Sequence, residues 1–194
     1  MDFLLNYDRC LSRAISINCL DEKRKDVGRE KVLRQFLLLL EYSGHGIPWI
    51  GVTMFMIYFR FDMRAKQFYC NLLLALLLDL LFVALLKVIV RRKRPQNNVD
   101  DMFATVSVDR YSFPSGHSSR AAMVTLLFSL YWKSTSFVVL GYVWASMVAT
   151  SRVALGRHHV LDVILGMVLG YFEYYITLQV WLPLDTCMRL TNVL

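Results

Sequence analysis

The chain has few charged residues and few cysteines, and both shortages narrow its class. Only 19% of its 194 residues are Asp, Glu, Lys or Arg, whereas 56% are hydrophobic, and the mean hydropathy is +0.43. This balance is typical of a membrane protein. The four cysteines are scattered without a CxxC pair, so the sequence indicates neither a disulfide framework nor a structural zinc site.

Targeting and repeat signals are also missing. The first twenty residues mix charged and apolar positions and lack a long apolar region followed by a small-residue cleavage site, so we expect no signal peptide. No internal repeat or low-complexity tract is present. The only long polar connection within the hydrophobic region covers residues 91–117.

Five apolar runs predict membrane-spanning helices. The longest, 67–90, is long enough to cross a hydrocarbon core of about 30 Å at about 1.5 Å per residue. The other four runs cover 46–60, 118–132, 136–154 and 161–182. The segment 26–43 is amphipathic in its first half and apolar in its second, which predicts an interfacial helix or part of a broken span. The sequence therefore predicts an all-α, polytopic transmembrane bundle.

Three polar clusters lie at the ends of these predicted spans. "RRKRP" at 91–95 follows the longest span, and "PSGH" at 114–117 precedes the next one. "TSRVALGRHHVLD" at 150–162 connects the last two spans. Because successive spans run in opposite directions, all three clusters are expected on the same face of the membrane.

The first two clusters carry groups suited to binding phosphate. Lys87 and Arg94 are seven residues apart, so their side chains point the same way if the helix persists nearly to Pro95. The position before a proline disfavours helical geometry, so the sequence leaves open whether Arg94 still belongs to the helix. At the start of the next helix, the Gly116 amide and the Ser115 hydroxyl can approach an anion closely. These features predict a phosphate-binding site.

The third cluster adds a candidate nucleophile. Arg152 offers a planar guanidinium that suits phosphate oxygens. His158 and Asp162 are four residues apart, so the carboxylate can accept a hydrogen bond from one ring nitrogen. The other nitrogen is then available as a nucleophile or base.

Each cluster has a simpler interpretation when taken alone. "RRKR" beside a span can bind lipid headgroups, and Lys87 can extend its ammonium to the membrane surface. "PSGH" can be only a turn and helix cap. His158 or His159 alone can be an interfacial packing residue. The occurrence of all three clusters in this order favours an anion site over these separate explanations.

The three clusters carry a family resemblance. "KVIVRRKRP" (87–95), "PSGH" (114–117) and "SRVALGRHHVLD" (151–162) resemble the three signatures of the type-2 phosphatidic acid phosphatase family, which is related to vanadium-dependent haloperoxidases. The resemblance extends from about residue 30 to 182. "LLEYSGHGIPW" and the short N-terminus resemble the polyisoprenoid diphosphate phosphatase branch, which includes presqualene diphosphate phosphatases.

The resemblance implies roles for individual residues. His158 is expected to attack phosphorus and form a phosphohistidine, Asp162 to orient His158, and His117 to protonate the leaving oxygen and later activate water. The phosphate oxygens would be held by Lys87, Arg94, Ser115, Gly116 and Arg152. Phosphoryl transfer depends on charge stabilisation, and with these cations in place no divalent metal or other cofactor is expected.

Three other polar residues, His45, Asp79 and Glu173, lie outside these three clusters. "SGHG" at 43–46 lacks the preceding proline and a neighbouring cation cluster, so His45 is expected to be structural. Asp79 and Glu173 lie inside predicted spans, where acidic side chains usually face the bundle interior. Asp79 could begin an ion-pair chain toward the site or serve packing alone.

The resemblance implies a metal-independent lipid phosphatase of the endoplasmic reticulum or nuclear envelope. We expect an interfacial segment at 1–30, a transmembrane phosphatase domain at 31–182 and a tail at 183–194. The implied substrates are farnesyl, geranylgeranyl or presqualene diphosphate, ahead of phosphatidate and sphingoid phosphates. An inactive membrane scaffold and a haloperoxidase are the alternatives. The expected partners are the bilayer and a lipid phosphate, with no nucleic acid.

Overall fold

The computed structural model describes residues 2–16, 28–59, 62–96, 98 and 110–191. Within these residues the chain forms helices and no strand beyond one isolated bridge between Lys93 and Tyr111. The helices are α1 (Asp2–Ile15), α2 (Gly28–Ser43), α3 (Gly46–Phe59), α4 (Met63–Val90), α5 (Gly116–Tyr131), α6 (Thr135–Ala154), α7 (Val160–Gln179) and α8 (Leu184–Thr191). The predicted all-α class is confirmed.

The apolar runs of the sequence all correspond to helices, but the helices differ in length. Among the described helices, α4, α6 and α7 are long and apolar enough to cross a membrane. The helices α3 and α5 have 14 and 16 residues, so they reach only about 21 and 24 Å at 1.5 Å per residue. The sequence predicted five spans, one of them in doubt, and among the described helices length and composition support three.

The helices α5 and α7 pack with very close backbones. A Cβ atom on Gly166 would lie 2.6 Å from the carbonyl oxygen of Ser115, and one on Gly170 would clash with the carbonyl oxygen of Ser119. Small residues spaced four apart are the usual means of bringing two membrane helices together. This contact holds the N-terminus of α5 beside the N-terminus of α7.

The apolar core lies between α4 and α5, beyond the polar end of the bundle. Its fully buried members include Leu72, Leu76, Met123 and Leu127. At the far end, Asn71 both donates to the carbonyl of Leu182 at 3.1 Å and accepts from its amide at 2.7 Å. These bonds attach the segment after α7 to α4.

The helix α1 is attached to the N-terminus of α7 by polar contacts. The Leu161 amide donates to Asp8 at 3.0 Å, and the Val160 amide donates to the Ser12 hydroxyl at 3.0 Å. The first amides of a helix have no partner within it. Asp8 and Ser12 therefore cap α7 from outside and fix α1 against the polar end of the bundle.

Candidate active site

The structure brings the three polar clusters together at one end of the bundle. His158 Nδ1 lies 2.6 Å from the carbonyl oxygen of Ser112, just before "PSGH". The Ser115 amide donates to the carbonyl of Asp162 at 3.0 Å. Arg94 Nη1 donates to the carbonyl of Arg157 at 3.5 Å. Residues distant in sequence thus form one site, as the alternating directions of the spans required.

His158 lies between α6 and α7 and is only 2% exposed. Its Nδ1 must donate to Ser112, because a carbonyl oxygen only accepts. Burial lowers the pKa of His158 well below 6.5, and the positive charges of Arg94, Arg152 and Lys87 lower it further. His158 is therefore neutral at neutral pH, with a lone pair on Nε2.

His117 occupies the second position of α5 and is 9% exposed. Its side chain lies within electrostatic range of Arg152, Arg120, His45 and His158. Within the part of the chain that the structure describes, its Nε2 atom has no hydrogen-bond partner. A buried ring nitrogen without a protein partner can exchange a proton with a bound substrate.

The helix α4 does not persist to Pro95, which was the condition for Lys87 and Arg94 to align on one helix. The helix α4 ends at Val90, and Arg91 adopts a left-handed conformation with φ of 51°. A residue in this conformation ends a helix, so the chain turns before Arg94. Lys87 and Arg94 nevertheless both act electrostatically on His158, one from the last turn of α4 and the other from the loop.

Ser115 serves as the cap of α5. Its hydroxyl accepts from the Ser118 amide at 3.4 Å and lies 2.8 Å from the Ser118 hydroxyl. Gly116 follows as the first residue of the helix, and a Cβ there would lie 3.2 Å from Val83. The turn-and-cap interpretation of "PSGH" is thus realised. A role of Ser115 and Gly116 in holding phosphate stays a prediction.

Asp162 does not contact His158, contrary to the hydrogen bond that the spacing suggested. Its carboxylate accepts from the His159 amide at 2.9 Å and lies 3.1 Å from His159 Nδ1 and 2.6 Å from Arg92 Nη1. The physical reason is a capping box, in which Asp162 turns back to His159, the N-cap residue of α7. The Ser112 carbonyl orients His158 instead.

Arg152 is fully buried and pairs with an acid that the sequence interpretation overlooked. Its Nη1 lies 3.0 Å from Glu41 Oε1, and Nη2 of Arg157 lies 3.4 Å from Glu41 Oε2. Glu41 comes from α2, the segment whose location the sequence left open. The available signal was a single acid at the end of the apolar run "FLLLL", a position that needs a charged partner.

His45 and Arg120 also belong to the surroundings of the site. The rings of His45 and His117 are 5.5 Å apart, although the sequence placed His45 at a bend only. Arg120 pairs with Asp79 and donates to the carbonyl of Gly44 at 3.1 Å. An ion pair thus connects α4 to α5 one turn after His117. The ion-pair partner of Asp79 is therefore Arg120 and not Lys87.

Glu173 lies beside this pair and is fully buried, like Asp79. It accepts from the Ser119 hydroxyl at 2.7 Å. Both acids therefore face the bundle interior, as predicted for charged groups inside spans. Among the described residues, no three His, Cys, Asp or Glu side chains gather in a way that could hold a metal ion.

Comparisons with known proteins agree with this geometry. Residues 68–184 match the model of the PAP2 superfamily. A probable lipid phosphate phosphatase beta of Arabidopsis thaliana is 39% identical over 59% of this chain, and the match spans 66% of the relative's length. An undecaprenyl-diphosphatase of Sulfolobus acidocaldarius is 29% identical over 76% of this chain and 70% of its own.

Two solved structures share the fold. LpxE of Aquifex aeolicus superposes with a TM-score of 0.64 at 24% identity, covering 87% of this chain and 93% of that one. A transmembrane PAP2-type phosphatidylglycerolphosphate phosphatase of Bacillus subtilis superposes with a TM-score of 0.67 at 23% identity. The superposition covers 91% of this chain and 85% of that one. At these identities the likeness concerns the arrangement of helices.

Proposed function

The chain belongs to the PAP2 superfamily, and from this premise we propose that it is a membrane lipid phosphatase that hydrolyses polyisoprenoid diphosphates and monophosphates through a phosphohistidine. The phosphatase class is that of the curated relatives, whose names are lipid phosphate phosphatase, undecaprenyl-diphosphatase and phosphatidylglycerophosphatase. The isoprenoid preference is the finer part of the proposal.

One observation carries the proposed chemistry. A neutral, buried histidine with a free Nε2 lies within range of three cations, Arg94, Arg152 and Lys87. Phosphoryl transfer needs a positioned nucleophile and positive charge around the transferred group. His158 would supply the first and the three cations the second.

The proposed reaction has two steps. In the first, Nε2 of His158 bonds to phosphorus while the bond from phosphorus to the leaving oxygen breaks, and His117 donates a proton to that oxygen. In the second, His117 accepts a proton from water, which attacks the phosphohistidine and releases inorganic phosphate. His117 suits both tasks because its Nε2 has no partner within the described residues.

An apolar cavity supports a substrate with a long hydrocarbon tail. It measures about 450 Å³ and lies between α3, α4, α5 and α6. Its lining includes Trp49, Val124, Phe128, Trp132 and Trp144. Val124 and Phe128 on α5 follow His117 by 7 and 11 positions, or about 10 and 16 Å along the helix. A tail could therefore extend from the catalytic end toward the opposite end of the bundle.

The isoprenoid preference rests on the resemblance of "LLEYSGHGIPW" to that branch and on one relative named undecaprenyl-diphosphatase. A location in the endoplasmic reticulum or nuclear envelope is part of the same proposal. Phosphatidate and sphingoid phosphates are the second candidates, because another relative is named a lipid phosphate phosphatase.

The test is release of inorganic phosphate by detergent-purified protein in excess EDTA. Farnesyl diphosphate, farnesyl monophosphate, phosphatidate and sphingosine phosphate are compared at equal surface concentration. We expect the farnesyl compounds to give the highest kcat/KM, and His158→Ala to abolish turnover of all four without changing the gel-filtration profile.

His159→Ala is the matched control, since it removes the neighbouring imidazole and leaves His158 in place. Activity in His158→Ala protein close to wild type would remove His158 as the nucleophile. A preference for phosphatidate would replace the isoprenoid proposal while keeping the enzyme class. No release from any substrate would favour the scaffold.

A further inference from the structure

A strongly basic cavity lies beside the candidate active site, between α1 and the loop that follows α4. Its volume is about 560 Å³. Five of the described residues that line it are cations, and none of those described is acidic: Arg9, Arg13, Arg92, Lys93 and Arg94. Two of these come from α1, which lies outside the residues matched by the family model.

Within the part of the chain that the structure describes, the charge of this cavity is only partly neutralised. Arg92 pairs with Asp8 and Asp162. Within the described residues, Arg9, Arg13 and Lys93 form no ion pair. Arg9 and Arg13 are four residues apart on α1, where like charges repel. A bound anion would remove this repulsion.

The cavity adjoins the catalytic cations. Arg94 lines it and also acts on His158, and His159, the next residue, lines it too. The position of α1 is fixed, because Asp8 and Ser12 cap the amides of α7. The cavity is therefore held next to the site where the transferred phosphate would bind.

We propose that this cavity binds a second phosphate group next to the catalytic one, and that α1 thereby contributes to substrate selection. The proposal rests on the lipid phosphatase function proposed above. Lys87, Arg94 and Arg152 would hold the phosphate under attack, whereas Arg9, Arg13 and Lys93 would face a neighbouring phosphate. That group is either the second phosphate of a diphosphate lipid or free inorganic phosphate.

A selectivity measurement tests whether the cavity binds the second phosphate of a diphosphate lipid. The double variant Arg9→Gln/Arg13→Gln removes two exposed charges that pair with none of the described acidic residues, so the fold should persist. We expect the ratio of kcat/KM for farnesyl diphosphate to that for farnesyl monophosphate to fall about tenfold, the equivalent of two moderate charge contacts. The fall should shrink at high ionic strength, because salt screens exposed charges.

Two variants serve as controls. Arg64→Gln/Lys133→Gln removes two exposed cations, one at the start of α4 and one just after α5, at the end of the bundle away from the candidate active site. It therefore matches the change in net charge without touching the cavity. Arg9→Lys/Arg13→Lys keeps the charges and should restore most of the selectivity. Equal melting temperatures of all three proteins in detergent would show that the fold is intact.

A protection measurement tests phosphate binding without turnover. Cys10 lines the cavity and is exposed, whereas Cys70 and Cys187 are buried. In a Cys19→Ser, His158→Ala background, a negatively charged maleimide should label Cys10. Inorganic pyrophosphate should slow this labelling in protein with the native arginines and should have no effect after Arg9→Gln/Arg13→Gln.

The outcomes distinguish the second phosphate of a diphosphate lipid from free phosphate. They also distinguish a failure of this anion site from a failure of the proposed lipid phosphatase function. A selective loss on farnesyl diphosphate identifies the second phosphate of the substrate. Protection of Cys10 by inorganic phosphate and pyrophosphate, with an unchanged selectivity ratio, identifies free phosphate. An unchanged ratio together with no protection overturns the proposal. Protection without turnover of any lipid would count against the lipid phosphatase function and leave the anion site intact.

Discussion

His158 Nδ1 lies 2.6 Å from the backbone carbonyl oxygen of Ser112. A carbonyl oxygen accepts hydrogen bonds and keeps no proton near neutral pH, so this contact places the ring hydrogen on Nδ1 and leaves Nε2 for chemistry. The same role was expected of the Asp162 carboxylate. Asp162 instead holds the first turn of α7 and Arg92, and its influence on His158 is indirect.

This arrangement predicts different effects for the two residues. Ser112→Ala keeps the backbone carbonyl and should leave kcat within about twofold of wild type, because it removes only the bonds that the buried hydroxyl donates to the carbonyls of Arg92 and Lys93. Asp162→Asn loses the charge that holds Arg92 and should lower both the melting temperature in detergent and kcat. A large loss of kcat in Ser112→Ala, with Asp162→Asn active, would reverse these assignments. Steady-state phosphate release measures both.

The pH dependence should reflect the lowered pKa of His158. Because the folded pKa lies below 6.5, neutral His158 persists as the pH falls through 6.5, and the acidic limb of kcat/KM should lie below that value. Removing a nearby positive charge raises this pKa, so Lys87→Gln should move the limb upward. When both proteins are measured on one substrate, ionisation of the substrate affects both pH profiles equally and does not alter the difference between them. A uniform loss of rate at every pH would show that Lys87 does not influence the nucleophile.

Arg152→Lys should be costly although it conserves the charge. The planar guanidinium of Arg152 can contact two phosphate oxygens and is held by Glu41 at 3.0 Å, whereas an ammonium is a single point charge. We expect kcat/KM to fall on the order of a hundredfold, as for the loss of one transition-state donor. Glu41→Gln, which preserves the guanidinium, should cost less. A wild-type rate for Arg152→Lys would remove Arg152 from the phosphate site.

The Asp79 and Arg120 pair should be required for stability. Both side chains are buried and pair directly. Removing one partner of a buried pair leaves an uncompensated charge and costs about 3 to 5 kcal/mol. We expect Asp79→Leu to lower the melting temperature more than the double variant Asp79→Leu/Arg120→Leu. Additive effects in this double-mutant cycle would show that the two residues are energetically independent.

His117 as the proton donor predicts a dependence on the leaving group. A leaving group that is stable without a proton, such as nitrophenolate, needs no general acid in the first step. In His117→Ala protein, a nitrophenyl phosphate should therefore give a burst of nitrophenol while farnesyl monophosphate does not react. Equal losses on both substrates would contradict this role. Rapid-mixing absorbance measures the burst.

Local properties of the sequence were sufficient for most of the fold. The apolar runs set the positions of α3 to α7 within a few residues, because helix length follows from the length of the hydrophobic run. The predicted family, the all-helical membrane class and the phosphatase class are confirmed. The end of α4 was less predictable, since the left-handed conformation of Arg91 has no glycine to signal it.

The sequence by itself determined which residues are the candidates for the chemistry, since the three motifs contain the histidines and cations that phosphate transfer needs. Only the tertiary structure decided their partners. Glu41 meets Arg152 across 111 positions of chain, and His45 meets His117 across 72. Such contacts depend on how closely the segments approach, and Gly44 permits this approach because a Cβ there would lie 2.8 Å from Val148 and 3.4 Å from His117. Helix periodicity acts over a few residues, and packing geometry acts across the whole bundle.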